Sequence, residues 1–468
     1  MLLIYITGLP SIVLAQWTTP VNLSPDAVQA LLNESMGSCI GVSGDTVHVV
    51  WADRFSSTKG AIYYTQSADT GLTWTTPVAI TNKNGNAWNP AIAVNGSNIH
   101  VVWREIDTLN QHRSSHYRHS LDEGSTWGPT VVLDTAIADW PAVAVSGNNI
   151  YVANDIVTSS SPYNTEIFFL SSADNGNSWS PHQQLTFSDG RSEDEAITAQ
   201  GPDVFMSWND NRTGQMQIFY KHSPDHGVTW GNDVAIIPPN DYGTMVYIDH
   251  ANVDVPCAGA ASGHYQIHLV QSSDSGATWG TDTDLTNDPA NTYYYPYMVR
   301  DGSDLHLTYV KSGIGGQYLH SGDGGKTWDP PYNMGFSNIT PFIAYTGCAL
   351  HVIIPDSGHV NYIRNPTGNG GLHCITTTGI SPSAPAETTV KIYPNPFILQ
   401  TTVEISPSEK QENTVMKVFD GVGREIISSD FGKDNKIILG RDKLNSGIYI
   451  FRVYQKEKVI TTGKILAE

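Results

Sequence analysis

One octet, Ser-x-Asp-x-Gly-x-Thr/Ser-Trp, is written six times in this chain, and no other feature limits the fold so tightly. It runs Ser67 to Trp74, Ser120 to Trp127, Ser172 to Trp179, Ser223 to Trp230, Ser272 to Trp279 and Ser321 to Trp328. Its aspartates, Asp69, Asp122, Asp174, Asp225, Asp274 and Asp323, follow one another at intervals of 53, 52, 51, 49 and 49 residues. A recurrence this regular marks a repeat architecture, in which each unit buries its apolar face against the next. The octet itself reads as a tight turn. Its carboxylate and hydroxyls can bond nearby backbone groups, its glycine supplies a positive φ, and its tryptophan can pack into the adjoining sheet. The six aspartates are therefore expected to be structural.

Each octet sits among short β-rich runs bounded by Gly, Asn and Asp. In Pro90 to Trp103 a turn at Asn95-Gly96 joins two strands; a third strand, the octet and a fourth strand follow. Four strands per repeat make one blade of a β-propeller, so the chain is expected to be all-β. Hairpins between first and second strands number seven, centred on Gly44, Gly96, Gly147, Gly201, the Asp249 region, Gly302 and Gly347. The seventh unit, Thr340 to Asn365, has no octet, but Trp17-Thr-Thr-Pro-Val21 repeats Trp74-Thr-Thr-Pro-Val78 residue for residue. An N-terminal fourth strand would complete the last blade and leave no free sheet edge. Seven blades are expected, with six as the alternative because the fifth hairpin is irregular.

The octet is the Asp-box, or BNR repeat, and over roughly residues 16–365 the chain resembles the sialidase-like β-propellers. The resemblance implies six blades and, for the enzymes, an arginine triad for the substrate carboxylate, a Tyr–Glu nucleophile pair and an Asp acid/base. The chain departs from that pattern where the Phe/Tyr-Arg-Ile-Pro motif should supply the first arginine: the corresponding strand reads Ser38-Cys-Ile-Gly-Val42.

Blade topology sorts the loops. Connections from strand 1 to 2 and from 3 to 4 share one face with the Asp-boxes; those from 2 to 3 and from blade to blade share the other. On that second face fall Asp53, Arg54, Arg104, Glu105, Asp155, Asp210 and Arg212, together with Trp88, Asp139, Trp140, Arg191, Tyr242 and Tyr294. Carboxylates offer acceptors to sugar hydroxyls, aromatic rings stack on sugar C–H faces, and Arg binds a carboxylate bidentately. As a sialidase-like glycosidase, the chain would use Asp53, Arg54, Arg104, Glu105, Asp210 and Arg212 in catalysis, with Arg54, Arg104 and Arg212 as anion clamps. Trp88, Trp140, Asp155, Arg191, Tyr242 and Tyr294 would then contact the substrate. The alternative is a non-catalytic propeller that binds a glycan or protein at the same mouth. For any single one of these residues, a turn or a local ion pair is the plainer role. No cofactor is called for. Calcium is considered at Thr281-Asp-Thr-Asp284 and Asp301-Gly-Ser-Asp304, neither of which has EF-hand spacing.

The two ends differ from the middle. Residues 1–15 are apolar and finish in Val13-Leu14-Ala15, as a cleaved export signal does, and are too short to span a bilayer. An exported chain permits disulfides, and Cys348 with Cys374 is a reasonable pair beside Cys39 and Cys257. The chain carries a net charge of −20, which excludes nucleic acid as a partner. That charge is unevenly spread: residues 1–384 hold 13 Lys+Arg against 34 Asp+Glu, whereas 385–468 hold 12 against 11. Residues 369–387 read as a Gly/Thr/Ser/Pro linker between a propeller at 16–368 and a small antiparallel sandwich at 388–468. In that last segment Tyr393-Pro-Asn-Pro396, Phe419-Asp-Gly-Val-Gly-Arg424, Leu444-Asn-Ser-Gly-Ile-Tyr449 and Lys464-Ile-Leu-Ala-Glu468 occur in order. The segment resembles the type A sorting domain of type IX secretion. That resemblance implies the type IX machinery as a partner, and a protein secreted or held at the outer surface of a Gram-negative bacterium, where an extracellular glycan or glycoprotein would be its target.

Overall fold

A computed structural model describes residues 17–366, except 34–36, 108, 111, 136–137, 237–240, 244, 262–263, 337–339 and 348. It also describes 390–467, except 394–396, 398, 406–413, 420–423, 432–435, 442, 445–446 and 456–457. The proposed export signal, the linker, Cys348 and Cys374 lie outside the described residues, as does part of each sorting motif. The chain divides into two compact units, Met1–Ile375 and Thr376–Glu468. Among the described residues there are strands and no helix, so no helix is long and apolar enough to cross a membrane.

The first unit holds seven antiparallel sheets. Their innermost strands are Ile40–Ser43, Ala87–Asn95, Ala138–Ser146, Ser192–Gln200, Tyr247–Asp249, Tyr293–Asp301 and Phe342–Thr346. Each packs beside the next, and the last packs beside the first, closing a seven-bladed ring. Six blades, the number implied by the sialidase resemblance, is thereby replaced by seven. The seventh sheet is finished by the N-terminal strand Val21–Asn22, which pairs with His359–Asn365. The register of Val21 on Tyr362 reproduces that of Val78 on Tyr64 in the first blade. The Thr18 N–H bonds the Arg364 carbonyl at 2.9 Å, just as the Thr75 N–H bonds that of Gln66.

The octets lock each blade to its neighbour. In the first, Ser67 Oγ donates to Asp69 Oδ1 (2.7 Å) and accepts the Gly71 N–H (2.8 Å). Asp69 in turn accepts the Thr73 N–H (2.8 Å) and hydroxyl (2.6 Å). Those bonds, led by the Thr73 hydroxyl, hold the Asp69 carboxyl down at about 2. Gly71 has φ +84°, and a Cβ there would fall on the Tyr362 hydroxyl of the preceding blade. Five of the six box tryptophans meet an aromatic ring of the preceding blade edge-on: Trp74 on Tyr362, Trp127 on Tyr64, Trp179 on Tyr117, Trp230 on Phe169 and Trp279 on Tyr220. Centroids are 4.7 to 5.2 Å apart and planes 69° to 79° apart. Trp17 meets Tyr318 in the same way, at 5.1 Å and 76°. The N-terminal segment thus supplies the tryptophan that the seventh blade's missing octet would have provided.

Six of the hairpins between first and second strands turn on a glycine at positive φ: Gly44, Gly96, Gly147, Gly201, Gly302 and Gly347. The fifth uses His250 at φ 58°, which explains why it is irregular in sequence yet present in the fold.

The second unit has two sheets. One contains Val390–Tyr393, Gln400–Ile405 and Lys436–Gly440; the other contains Glu425–Asp430, Thr414–Phe419, Gly447–Gln455 and Lys458–Ala467. Phe397, Val403, Met416, Val418, Leu439, Phe451, Val453 and Ile465 form its core.

Candidate functional site

The loops fall on two faces, as the blade topology requires. A groove of about 590 Å³ brings strand 1–2 turns (Asn252, Gly302, Ser303) together with Asp-box residues (Thr278, Asp323, Lys326). On the opposite face a pocket of about 530 Å³ joins Gln29 to Asn33, Tyr295 and Thr340 at the starts of blades with the strand 2–3 turn Pro355 to Gly358. Between the faces runs a channel of about 330 Å³ lined mainly by Ile40, Val42, Ile197, Met245, Val299 and Ile343. Its apolar wall leaves polar chemistry to the face opposite the boxes, called the mouth below.

The mouth is built by a recurrent irregularity. Inner strands of four blades begin with a bulge: register shifts occur between Trp88 and Ala91, Asp139 and Ala142, Glu193 and Ala196, and Tyr294 and Tyr297. Each bulge holds one non-glycine residue in the left-handed region: Asn89 (φ 49°), Trp140 (41°), Asp194 (57°) and Tyr295 (53°). A bulge bends the strand and re-aims a side chain. For bulky residues such as Trp and Tyr this conformation costs energy and is held only by surroundings that over-determine it.

Strand registers also align the second strands. The position four residues after the partner of the box serine carries Trp51, Trp103 and Trp208 in blades 1, 2 and 4, but Asn154 in blade 3. Asn154 is fully buried, and neither its Oδ1 nor its Nδ2 has a partner. The next position carries Ala52, Arg104, Asp155 and Asn209. Arg104 reaches Asp139 of the following blade, and Arg113 takes that carboxylate's other oxygen. Two guanidiniums therefore converge on one carboxylate, but the carboxylate is the protein's own.

Beside this trio lies an acidic group. Asn209 Nδ2 donates to Asp194 Oδ2 at 3.1 Å. Glu195 is 0 % exposed with neither carboxyl oxygen partnered, and Asp155 Oδ1 is buried and unpartnered as well. Burial, then the charges of Asp139, Asp194 and Glu193, push the Asp155 carboxyl well above the ordinary range, against the opposing pull of Arg104. Burial, then Asp155, does the same to Glu195. Both are held towards the protonated form, in which a carboxyl can donate a proton.

The remaining candidates are dispersed. Asp53 is buried and accepts the N–H groups of Val28 (3.0 Å) and Gln29 (2.9 Å), fixing the chain on its way into the first blade. Arg54 lies over the Trp88 ring at 4.9 Å. Glu105 accepts the Asn86 N–H (2.8 Å) and the Trp103 indole (3.1 Å); burial raises its pKa against those two bonds. Asp210 is bound by Arg212 (2.6 Å), Ser192 (2.8 Å) and Trp208 (3.2 Å), and Arg212 also pairs with Asp233 at 2.8 Å. Burial works to raise the Asp210 pKa, but the Arg212, Ser192 and Trp208 bonds outweigh it and leave it lowered. Arg191 pairs with Glu193 at 3.3 Å, and Arg104 also lies over Trp140. Tyr294 packs against Tyr265 and Tyr295. Tyr242 lies in the strand Asp241–Tyr242; its side chain is outside the described residues. Arg54, Arg104 and Arg212 thus engage three different partner sets.

At the aspartates considered for calcium, Asp282 bonds His268 (2.9 Å), Asp284 accepts the Thr286 and Asn287 N–H groups, and Asp301 accepts the Tyr345 hydroxyl. Among the described residues no group of three or more His, Cys, Asp and Glu is arranged to hold a metal.

A seven-bladed Asp-box propeller with a bulged, polar mouth defines the class. The chain belongs to the BNR repeat-like domain family, whose model matches residues 11–307, and residues 391–468 match the secretion system C-terminal sorting domain. It is therefore an exported protein of the cell surface or the medium. No curated protein sequence matches the chain. Among solved structures it is similar to the polysaccharide lyase Uly1 (10% identity, TM-score 0.51, covering 70% of this chain and 90% of that one). It is also similar to a PL25 ulvan lyase (11%, 0.50, 71% and 93%) and to a Hadza microbial sialidase (13%, 0.44, 67% and 72%). At these identities the likeness describes the fold.

Proposed function

We propose that this exported propeller engages extracellular glycans at its mouth, the face opposite the Asp-boxes. The observation that carries the reading is the set of bulged strand starts, which hold Trp140 and Tyr295 in the left-handed region around one channel. Strain of that kind, held by bulky aromatic residues and without a repeated set of bonds to close it, fits a surface selected for what it presents. Aromatic rings at Trp88, Trp140, Tyr294 and Tyr295 offer stacking faces, and the carboxylates beside them offer acceptors to hydroxyl groups. Because Arg104, Arg191 and Arg212 are already matched by Asp139, Glu193, Asp210 and Asp233, the mouth favours glycan binding over hydrolysis of sialosides. A glycan array probed with the full chain tests the reading: binding that weakens in Trp140→Gly supports it, and a blank array refutes it.

A second reading, glycoside hydrolysis, is favoured by one observation: Asp155 and Glu195 are buried acids held towards protonation. A general acid needs a raised pKa of this sort. Reducing-sugar release from neutral and acidic oligosaccharides that disappears in Asp155→Asn would support this reading; no release from any would exclude it.

A further inference from the structure

We infer that the pocket behind Tyr295 is a subsite for one uncharged sugar unit of the bound glycan. This rests on the reading of the mouth as a glycan-binding face and deepens it. The pocket, about 530 Å³, lies where blades 6, 7 and 1 meet. That volume lies in the range of small-molecule sites and accommodates a sugar ring with its substituents. Tyr295 stands at its edge, 44% exposed, on the one bulge of the four whose left-handed residue is a tyrosine. Pro296 follows, and Tyr294 packs against the Tyr295 ring with centroids 5.8 Å apart, so the platform is fixed from behind. An aromatic face held in a costly backbone conformation, next to a cavity, is preorganised for stacking against an apolar ring face.

The pocket's chemistry selects the class of ring. Leu31 and Pro355 supply an apolar wall; Gln29, Thr340 and Asp356 supply an amide, a hydroxyl and a carboxylate. Among the described residues that line it there is no Lys, Arg or His. A uronate or sialic acid would bring its charge towards the Asp356 carboxylate, a like-charge encounter that binding sites use to reject a ligand. A neutral hexose or pentose meets acceptors for its hydroxyls and a ring for its C–H face. Asp155, Glu195 and Asp139 belong to blades 3 and 4, so a chain held at Tyr295 could continue across the channel mouth towards them.

The test is isothermal calorimetry of the full chain against neutral gluco-, xylo- and manno-oligosaccharides and matched uronate oligosaccharides. It is repeated with Tyr295→Phe, Tyr295→Gly and Asp356→Asn. Glycine accepts the left-handed backbone, so Tyr295→Gly removes the platform without unfolding the blade, and its melting temperature should equal or exceed that of the parent. The expected result is a neutral oligosaccharide bound at least tenfold more weakly by Tyr295→Gly, within twofold by Tyr295→Phe, and severalfold more weakly by Asp356→Asn. Binding of a neutral glycan that Tyr295→Gly leaves unchanged would overturn the subsite while keeping the glycan-binding mouth. A preference for uronates would overturn the neutral assignment alone. If no glycan of either class binds, both readings fall together.

Discussion

The two faces of the propeller both store left-handed backbone, and they do so for opposite reasons. On the box face the strained residues are Thr70, Glu123, Asn175, His226 and Ser275, at one turn position in five of the six octets; the sixth has Gly324 there. There the cost is offset within eight residues, because the same serine and aspartate close every turn with the same bonds. On the mouth face Asn89, Trp140, Asp194 and Tyr295 also share one position, but the bonds around them differ from blade to blade. Where the bonds around the strained residue repeat with the geometry, the feature belongs to the scaffold. Where the geometry repeats and those bonds do not, the scaffold is presenting something.

That contrast can be broken most directly at Asp139. Asp139→Ala leaves Arg104 and Arg113 facing each other without their carboxylate, and stability should fall by about 3–5 kcal/mol, somewhat less if Arg113 swings into solvent. Urea denaturation measures the loss. The surviving fold should gain affinity for carboxylate-bearing sugars, because two guanidiniums would then converge on an empty position; no gain would show that the mouth is not shaped around a ligand. On the box face, Gly176→Ala drives a methyl group into the Tyr117 hydroxyl at φ 83°, and should cost about 2–4 kcal/mol. Glycan affinity measured well below its melting temperature should not change. If it did, the separation of scaffold face from binding face would be lost. Trp17→Ala should cost about 2 kcal/mol, below the roughly 3–5 kcal/mol of a fully buried tryptophan, because its ring is only partly buried against Tyr318. A cost near zero would mean that the ring closes without its seventh tryptophan.

Much of the scaffold was legible because its chemistry is local. An octet that satisfies its own hydrogen bonds reads the same in sequence as in space, and Trp17 to Val21 could be matched to Trp74 to Val78 letter by letter. The fifth hairpin was harder, since His250 replaces the glycine that marks the others. The mouth was legible as a list of residues and not as a set of pairs. Asp210 with Arg212, two residues apart, is the neighbour ion pair such a spacing foretells. Arg113 with Asp139 crosses from one blade to the next, and Arg113 opens a third strand, outside the loops singled out in the sequence. Asn154 becomes conspicuous only when registers align it with Trp51, Trp103 and Trp208. Tyr295 was hidden among three consecutive tyrosines, and only its backbone angle separates it from Tyr294.

The smallest effect concerns a feature that belongs to the scaffold between the faces. His48, His100, His306 and His351 occupy one register position and bond Tyr64, Tyr117, Tyr318 and Tyr362 at 2.7 to 2.8 Å. Burial lowers their pKa values from 6.5, to about 4 for His48 and about 3 for the other three, with His119 adding to the effect at His100. The unfolded chain therefore binds protons that the folded chain refuses. Their neutral form contributes fully above pH 6.5, and stability is lost as pH falls from 6.5 towards 3, by about 2 kcal/mol per histidine at pH 5. Four such groups act in the same direction, so acid should weaken the propeller. Blade 4 already places Phe205 at this position, so His100→Phe is sterically reasonable. It gives up the bond to Tyr117, worth about 1 kcal/mol at neutral pH, and removes one proton-binding site from the unfolded chain. Stability curves of parent and variant followed by circular dichroism should cross between pH 7 and 5, and the variant's acid midpoint should lie a few tenths of a unit lower. Curves that run parallel at every pH would mean that His100 keeps an ordinary pKa inside the blade.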